Sequence, residues 1–141
     1  MLLLGPGERY HLFLSHVWST GQDQCAVIKR QLQLHLPGIK VFLDVDDLRD
    51  IGALEEHVEE SMAVVVFLSR GYFASRNCMR ELSHAVLKRN QLILVRENEL
   101  HHRGMSLEAA KQQCPKQLRT RGFKAPMVDW HRIRDFQRIS L

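Results

Sequence analysis

Residues Met62–Leu82 read MAVVVFLSRGYFASRNCMREL. The first eight, Met62–Ser69, show no polar alternation and are rich in β-branched side chains, the pattern of a strand covered on both faces at the centre of a parallel sheet. From Arg76 to Arg89 the pattern turns helical, with Cys78, Leu82, Ala85 and Val86 on one apolar face. Tyr10–Ser15 (YHLFLS), Ile39–Asp44 (IKVFLD) and Gln91–Val95 (QLILV) read as further strands, and Ala125–Trp130 as a fifth. Between the first two strands, Cys25, Ile28, Leu32 and Leu36 form one helical stripe over Gln22–Leu36, ended by Pro37 and Gly38. Ala53–Ser61 supports a short helix through Leu54 and Val58, with Glu55, Glu56, Glu59 and Glu60 turned to water. Residues 96–124 are polar and irregular, with one short helix at Leu107–Cys114 that Pro115 terminates. His131–Ile139 closes the chain as a helix with Ile133, Phe136 and Ile139 inward. Strands alternating with helices predict right-handed βαβ units: a flavodoxin-like three-layer α/β sandwich, its five-stranded sheet mostly parallel, with helices on both faces. Ligands of such sheets gather at the carboxyl ends of the strands, here the loops after Ser15, Asp44, Ser69 and Val95.

At 141 residues the chain has the length of one domain. We expect that domain over 9–141, with 1–8 as a flexible lead-in. Hydrophobic residues at 45% and charged residues at 26% exclude a disordered or fibrous chain. The apolar run Ala63–Leu68 is far short of the roughly 20 residues that span a bilayer. Met1–Leu4 is stopped by Gly5, Pro6 and Gly7 before it reaches the roughly 7 to 15 residues of a signal-peptide core, so a cytoplasmic location without membrane insertion is expected. Cys25, Cys78 and Cys114 lie too far apart for a disulfide framework or a paired zinc knuckle. Residues 1–110 carry 12 basic and 14 acidic side chains, whereas 111–141 carry 8 and 2. That basic tail lacks interleaved aromatics and matches no nucleic-acid module, so a solvated face is the better account and nucleic acid is not the expected partner.

Several apparent motifs lack the context that their chemistry needs. Gly5-Pro6-Gly7 precedes a strand instead of following one, so it is no phosphate loop. Counted from Asp44 as a calcium loop, Glu55 fills the twelfth position. Leu48 nevertheless replaces an oxygen ligand, Arg49 replaces the turn glycine, and a strand precedes where a helix is needed. A phosphoacceptor receiver needs acids after the first strand, an Asp ending the third and a Lys after the fourth. Those places hold Ser15-His16-Val17, Ser69-Arg70 and Arg96-Glu97. Adjacent His101 and His102 in a polar stretch suit solvent better than metal, and no metal or cofactor is expected.

Three linked segments remain: YHLFLSHVW at 10–18, IKVFLDVDDL at 39–48, and VVVFLSRGYFASRNCMREL at 64–82. Together they resemble the Toll/interleukin-1 receptor (TIR) domain family. There, a first strand ends in a Phe-Ile-Ser-like box, a second ends in Asp before an acidic BB loop, and a buried strand leads to a Ser-x-x-Tyr-x-x-Ser-x-x-Cys-x-x-Glu-Leu helix start. Ser69, Tyr72, Ser75, Cys78, Glu81 and Leu82 follow that last pattern. The resemblance covers about residues 9 to 95, and beyond them rests on Trp130 and the closing helix.

The resemblance implies one of two functions. Some members cleave the nicotinamide–ribose bond of NAD and are activated by self-association in signalling or defence; others are non-catalytic adaptors acting by homotypic assembly. In the enzymes the motif places the catalytic carboxylate at Glu81. The implied pocket walls are Ser15, His16 and Trp18 after the first strand, Asp44 and Leu48 at and beyond the end of the second, and Asn77 and Cys78 at the helix start. Asn77 stands where the enzymes often carry an aromatic, and Val17 where they carry an Arg. NAD is then substrate rather than cofactor, and other TIR domains, as a homo-oligomer, are the expected partners. A single carboxylate suits this reaction. Nicotinamide departs from a cationic pyridinium as a neutral molecule and needs no second carboxyl to protonate it. At roughly 100° per residue, Glu81 falls about 60° from Cys78 and about 40° from Ala85, which predicts a place at the edge of the apolar stripe. The competing expectation is a pair with His84, three residues on, or a cap on a neighbouring loop.

Overall fold

A computed structural model describes residues 2–43, 54–99 and 104–130. The expected loop after the second strand, with Asp44 and Leu48, the pair His101-His102 and the closing helix His131–Ile139 lie outside the described residues.

Five strands form one sheet: β1 (Tyr10–Ser15), β2 (Val41–Leu43), β3 (Ser61–Leu68), β4 (Gln91–Glu97) and β5 (Met127–Trp130). Their order is β2-β1-β3-β4-β5 and every neighbouring pair is parallel. This is the flavodoxin-like order, and β3 occupies its centre as its unbroken apolar run requires. Only Met62, at 43% exposure, opens β3 to solvent.

The pleat divides β3 between two cores. Val64, Val66 and Leu68 join Phe13 and Phe42 beneath α2 (Leu54–Glu59), α3 (Arg76–Leu87), α4 (Leu107–Gln113) and α5 (Lys116–Phe123). Val65 and Phe67 join Leu14, Cys25, Ile28 and Trp130 beneath α1 (Trp18–His35). On that second face the Trp130 indole N–H donates to Gln24 Oε1 at 2.8 Å, tying β5 to α1.

Helix α1 starts at Trp18, four residues before the periodic stripe that predicts it. Its first turn contributes backbone rather than apolar side chains: a Cβ on Gly21 would stand 3.0 Å from Phe67 Cδ2 and 3.3 Å from Ser69 Oγ, so glycine lets the helix seat directly on the end of β3. Leu36 leaves the expected stripe and is 43% exposed.

Helix α2 buries Leu54 and Val58 as its spacing requires, but two of its glutamates meet α3 instead of water alone. Glu55 takes a bidentate fork from Arg80 at 2.9 and 2.8 Å, and Glu59 meets His84 at 2.8 Å and Lys88 at 3.5 Å. Between β4 and β5 the structure corrects the irregular stretch. β4 continues to Glu97, with Arg96 pairing to Asp129 across the ladder at 3.1 Å, and a second helix, α5, follows Pro115. Pro115 ends α4 and stands as the cap of α5, a position that tolerates its missing N–H. Only Leu118 and Gly122 of α5 are buried, too sparse an apolar pattern to mark a helix in the sequence.

Candidate functional site

In this strand order the chain reverses direction across the sheet between β1 and β3, and the crevice outside their carboxyl ends is where such folds bind ligands. Ser15 is the last residue of β1, in register with Val66 of β3. After β3 the chain turns at Gly71, whose φ of 89° lies in the left-handed region that suits glycine, and enters a 3-10 turn at Tyr72–Ala74. Ser75 then caps α3, its side chain accepting the Cys78 N–H at 3.2 Å. That cap fixes where α3 begins and therefore which face Glu81 presents.

Glu81 presents inward. It is 1% exposed, and its Oε2 accepts from Ser15 Oγ at 3.1 Å. Ser15 Oγ also lies 2.7 Å from the Tyr72 hydroxyl, and both residues are wholly buried. Three polar side chains from β1, the turn and α3 thus meet beneath the core. Burial pushes the Tyr72 phenol well above its ordinary range, and the nearby Cys78 and Glu81 push it further, so the phenol keeps its proton.

The expected position of Glu81 at the edge of the apolar stripe is therefore corrected to full burial. The expected pair with His84 does not form, because His84 turns to Glu59. Helical spacing alone could not reveal this, since the polar partners that draw Glu81 inward lie on other elements.

Of the other expected wall residues that are described, Ser15 bonds Glu81 directly. His16 is buried, but its ring bonds Gln22 Oε1 and faces the Leu14 carbonyl at 3.3 Å. Trp18, the first residue of α1, stands 54% exposed. Asn77 is half-buried, and Cys78 packs into the core near the Tyr72 phenol while its backbone N–H is spent on the Ser75 cap. Asp44 and Leu48 lie outside the described residues. Tyr72 is the member of the cluster that the sequence did not single out, although it stands in the Ser-x-x-Tyr motif. Above the cluster, Thr20 Oγ1 bonds Ser69 Oγ and donates to the Arg70 carbonyl, both at 2.7 Å, fastening the first turn of α1 to the loop after β3.

A groove of about 460 Å³ runs along the opposite, outer side of α3, lined by Glu55, Arg76, Met79, Arg80 and His84 and not by Glu81. Among the described residues no group of three His, Cys, Asp or Glu side chains is arranged to hold a metal ion, and no helix is long and apolar enough to cross a membrane.

A family model described as TIR domain matches residues 12–124. Among solved structures, the chain is similar to the TIR domain of the Toll-related receptor TRR-2 from Hydra magnipapillata, with a TM-score of 0.64 and 15% identity, covering 94% of this chain and 92% of that one. It is also similar to a metazoan TIR-STING receptor from C. gigas, with a TM-score of 0.62 and 17% identity, covering 84% of this chain but only 38% of the receptor. At these identities the structural likeness concerns the fold. No curated protein sequence matches.

Proposed function

The chain belongs to the TIR domain family, and from that premise we propose that it is an NAD glycohydrolase in which the Glu81 carboxylate acts on the nicotinamide-bearing ribose. The observation that carries this reading is a carboxylate kept in the core, 1% exposed and held by Ser15 at the carboxyl end of β1, at the position where the family's enzymes place their catalytic Glu. A surface glutamate of a helix needs no such partner.

The bond between ribose C1 and the pyridinium nitrogen breaks, and its electron pair stays on that nitrogen, leaving neutral nicotinamide. Positive charge then develops on the ribose as an oxocarbenium. An anion fixed in a low-dielectric setting stabilises that charge more than water would, without reorganising during the reaction. Water adds at C1, and its proton is released with ADP-ribose. Glu81 would bind the ribose hydroxyls and stabilise the cation, with Ser15 holding its orientation. Burial of Glu81 also means that NAD reaches it only after a rearrangement, and we propose self-association with other copies as the event that supplies it.

The same burial favours a second reading, in which Glu81 is a core polar group and the domain acts only by homotypic assembly. Incubating the purified chain with NAD over a range of protein concentrations separates the two. Release of nicotinamide that rises more steeply than protein concentration supports the enzyme. Self-association without any nicotinamide supports the assembly module.

A further inference from the structure

We infer that Tyr72 is a positioning residue for Glu81: its phenol donates to Ser15 Oγ and so commits the one Ser15 hydroxyl proton to Glu81 Oε2. The bond order follows from the donor inventory. Ser15 Oγ has a single proton and two neighbours within hydrogen-bond distance, Tyr72 OH at 2.7 Å and Glu81 Oε2 at 3.1 Å. An ionised carboxylate only accepts, whereas a phenol both donates and accepts. If Ser15 gave its proton to Tyr72, Glu81 Oε2 would lose the Ser15 donor and the Tyr72 proton would need another acceptor. With Tyr72 as donor, both contacts are satisfied at once. Ser15 and Tyr72 are both wholly buried, so bulk water does not compete for either hydroxyl.

The phenol keeps the proton this order requires, because burial and the neighbouring Cys78 and Glu81 all oppose a phenolate. Hydrogen bonds in series polarise one another, so a Ser15 hydroxyl that accepts from Tyr72 is a better donor to the carboxylate. Donation favours ionised Glu81, and burial opposes it. Among the described residues, the charged and titratable groups near this chain include Arg80 beside Glu81 on α3, and Cys78 and Cys114 near the phenol. The turn at Gly71 and the Ser75 cap set the two ends of the relay, Tyr72 and Glu81, at fixed places on either side of Ser15.

The catalytic meaning of the relay rests on the proposed NAD chemistry, but its bond order does not, so the test reads Glu81 directly. In protein with 13C-labelled glutamate side chains, the Glu81 carboxyl carbon is followed against pH in the wild type, Tyr72→Phe, Ser15→Ala and the double variant. Tyr72→Phe keeps the ring and removes the donor. It is expected to raise the Glu81 midpoint by about half a pH unit or more, the titration equivalent of a modest net hydrogen bond. Ser15→Ala is expected to raise it further, and adding Tyr72→Phe to Ser15→Ala is expected to change it little, because the connection is already cut. An unmoved midpoint in Tyr72→Phe, or shifts that simply add in the double variant, overturns the relay. Should Tyr72→Phe not fold, the wild type still decides: a slowly exchanging Tyr72 hydroxyl proton in contact with Ser15 Hβ supports the order, and its absence overturns it. Absence of NAD turnover by the wild type would overturn the proposed function and leave this result standing.

Discussion

Ser15 Oγ and Glu81 Oε2 lie 3.1 Å apart although the two residues are separated by 66 positions in the chain. One ends the strand beside the sheet's centre and the other sits on the second turn of α3, so their contact exists only when β1, β3 and α3 are all in place. The site and the core therefore form together.

Glu81→Ala is expected to destabilise the fold, because the side chain is 1% exposed and its removal leaves both a cavity and a buried Ser15 hydroxyl without its acceptor. Large-to-small changes at such positions cost about 2–5 kcal/mol. Glu81→Gln keeps the shape and an acceptor for Ser15, and should cost less. Urea unfolding of both variants measures the difference, and equal, near-zero losses would place Glu81 at the surface.

Stability should fall as the pH rises above about 10. The Tyr72 pKa is raised in the folded state above the ordinary value of 10.0, so the unfolded chain releases this proton first and alkali favours unfolding. The contribution is fully present below pH 10 and is lost as the pH climbs toward the folded value. Comparing wild type with Tyr72→Phe at pH 8 and pH 10.5 tests this, and the wild type should lose more of its denaturation midpoint.

At the acid end, Glu55 has its pKa lowered from 4.5, first by the hydrogen bond from Arg80. A carboxyl lowered in the folded state stabilises it above pH 4.5, and that contribution fades as the pH falls through the lowered value. Both side chains are about a third exposed, so the effect is small and sensitive to salt. Glu55→Gln should be slightly less stable than wild type at pH 7, and the gap should narrow as the pH falls below 4.5, read by thermal melting.

The two tryptophans should report separately. Trp18 is 54% exposed and Trp130 1%, with its indole N–H on Gln24. A Trp18→Phe variant is expected to emit at shorter wavelength than the wild type and to resist acrylamide quenching. Gln24→Leu leaves the indole N–H unpaired in the core, at about 1–3 kcal/mol.

How much of this was legible depended on the reach of each interaction. The central strand was readable because its burial on both faces is written into six consecutive apolar residues, Ala63–Leu68. Helix α3 was readable from its own periodicity, and Glu81 was named as the carboxylate through the motif that contains it. The depth of Glu81 was not readable, because 100° steps describe only one helix, while Ser15 and Tyr72 belong to other elements. Tyr72 stood within the motif, yet its hydroxyl meets Ser15, 57 positions away. Helix α5 was missed for a different reason: just two of its eight residues are buried, and Pro115 looked like an end although it also begins a helix.

The central claim is that a single carboxylate, Glu81, carries NAD cleavage. The most direct measurement is the rate of nicotinamide release by wild type and Glu81→Gln at equal concentration, with both shown to be folded and equally self-associated. Removing the charge while keeping the shape is expected to slow release by about 10² to 10³, the usual cost of losing one preorganised electrostatic contact. A Glu81→Gln protein that releases nicotinamide at the wild-type rate would contradict the account.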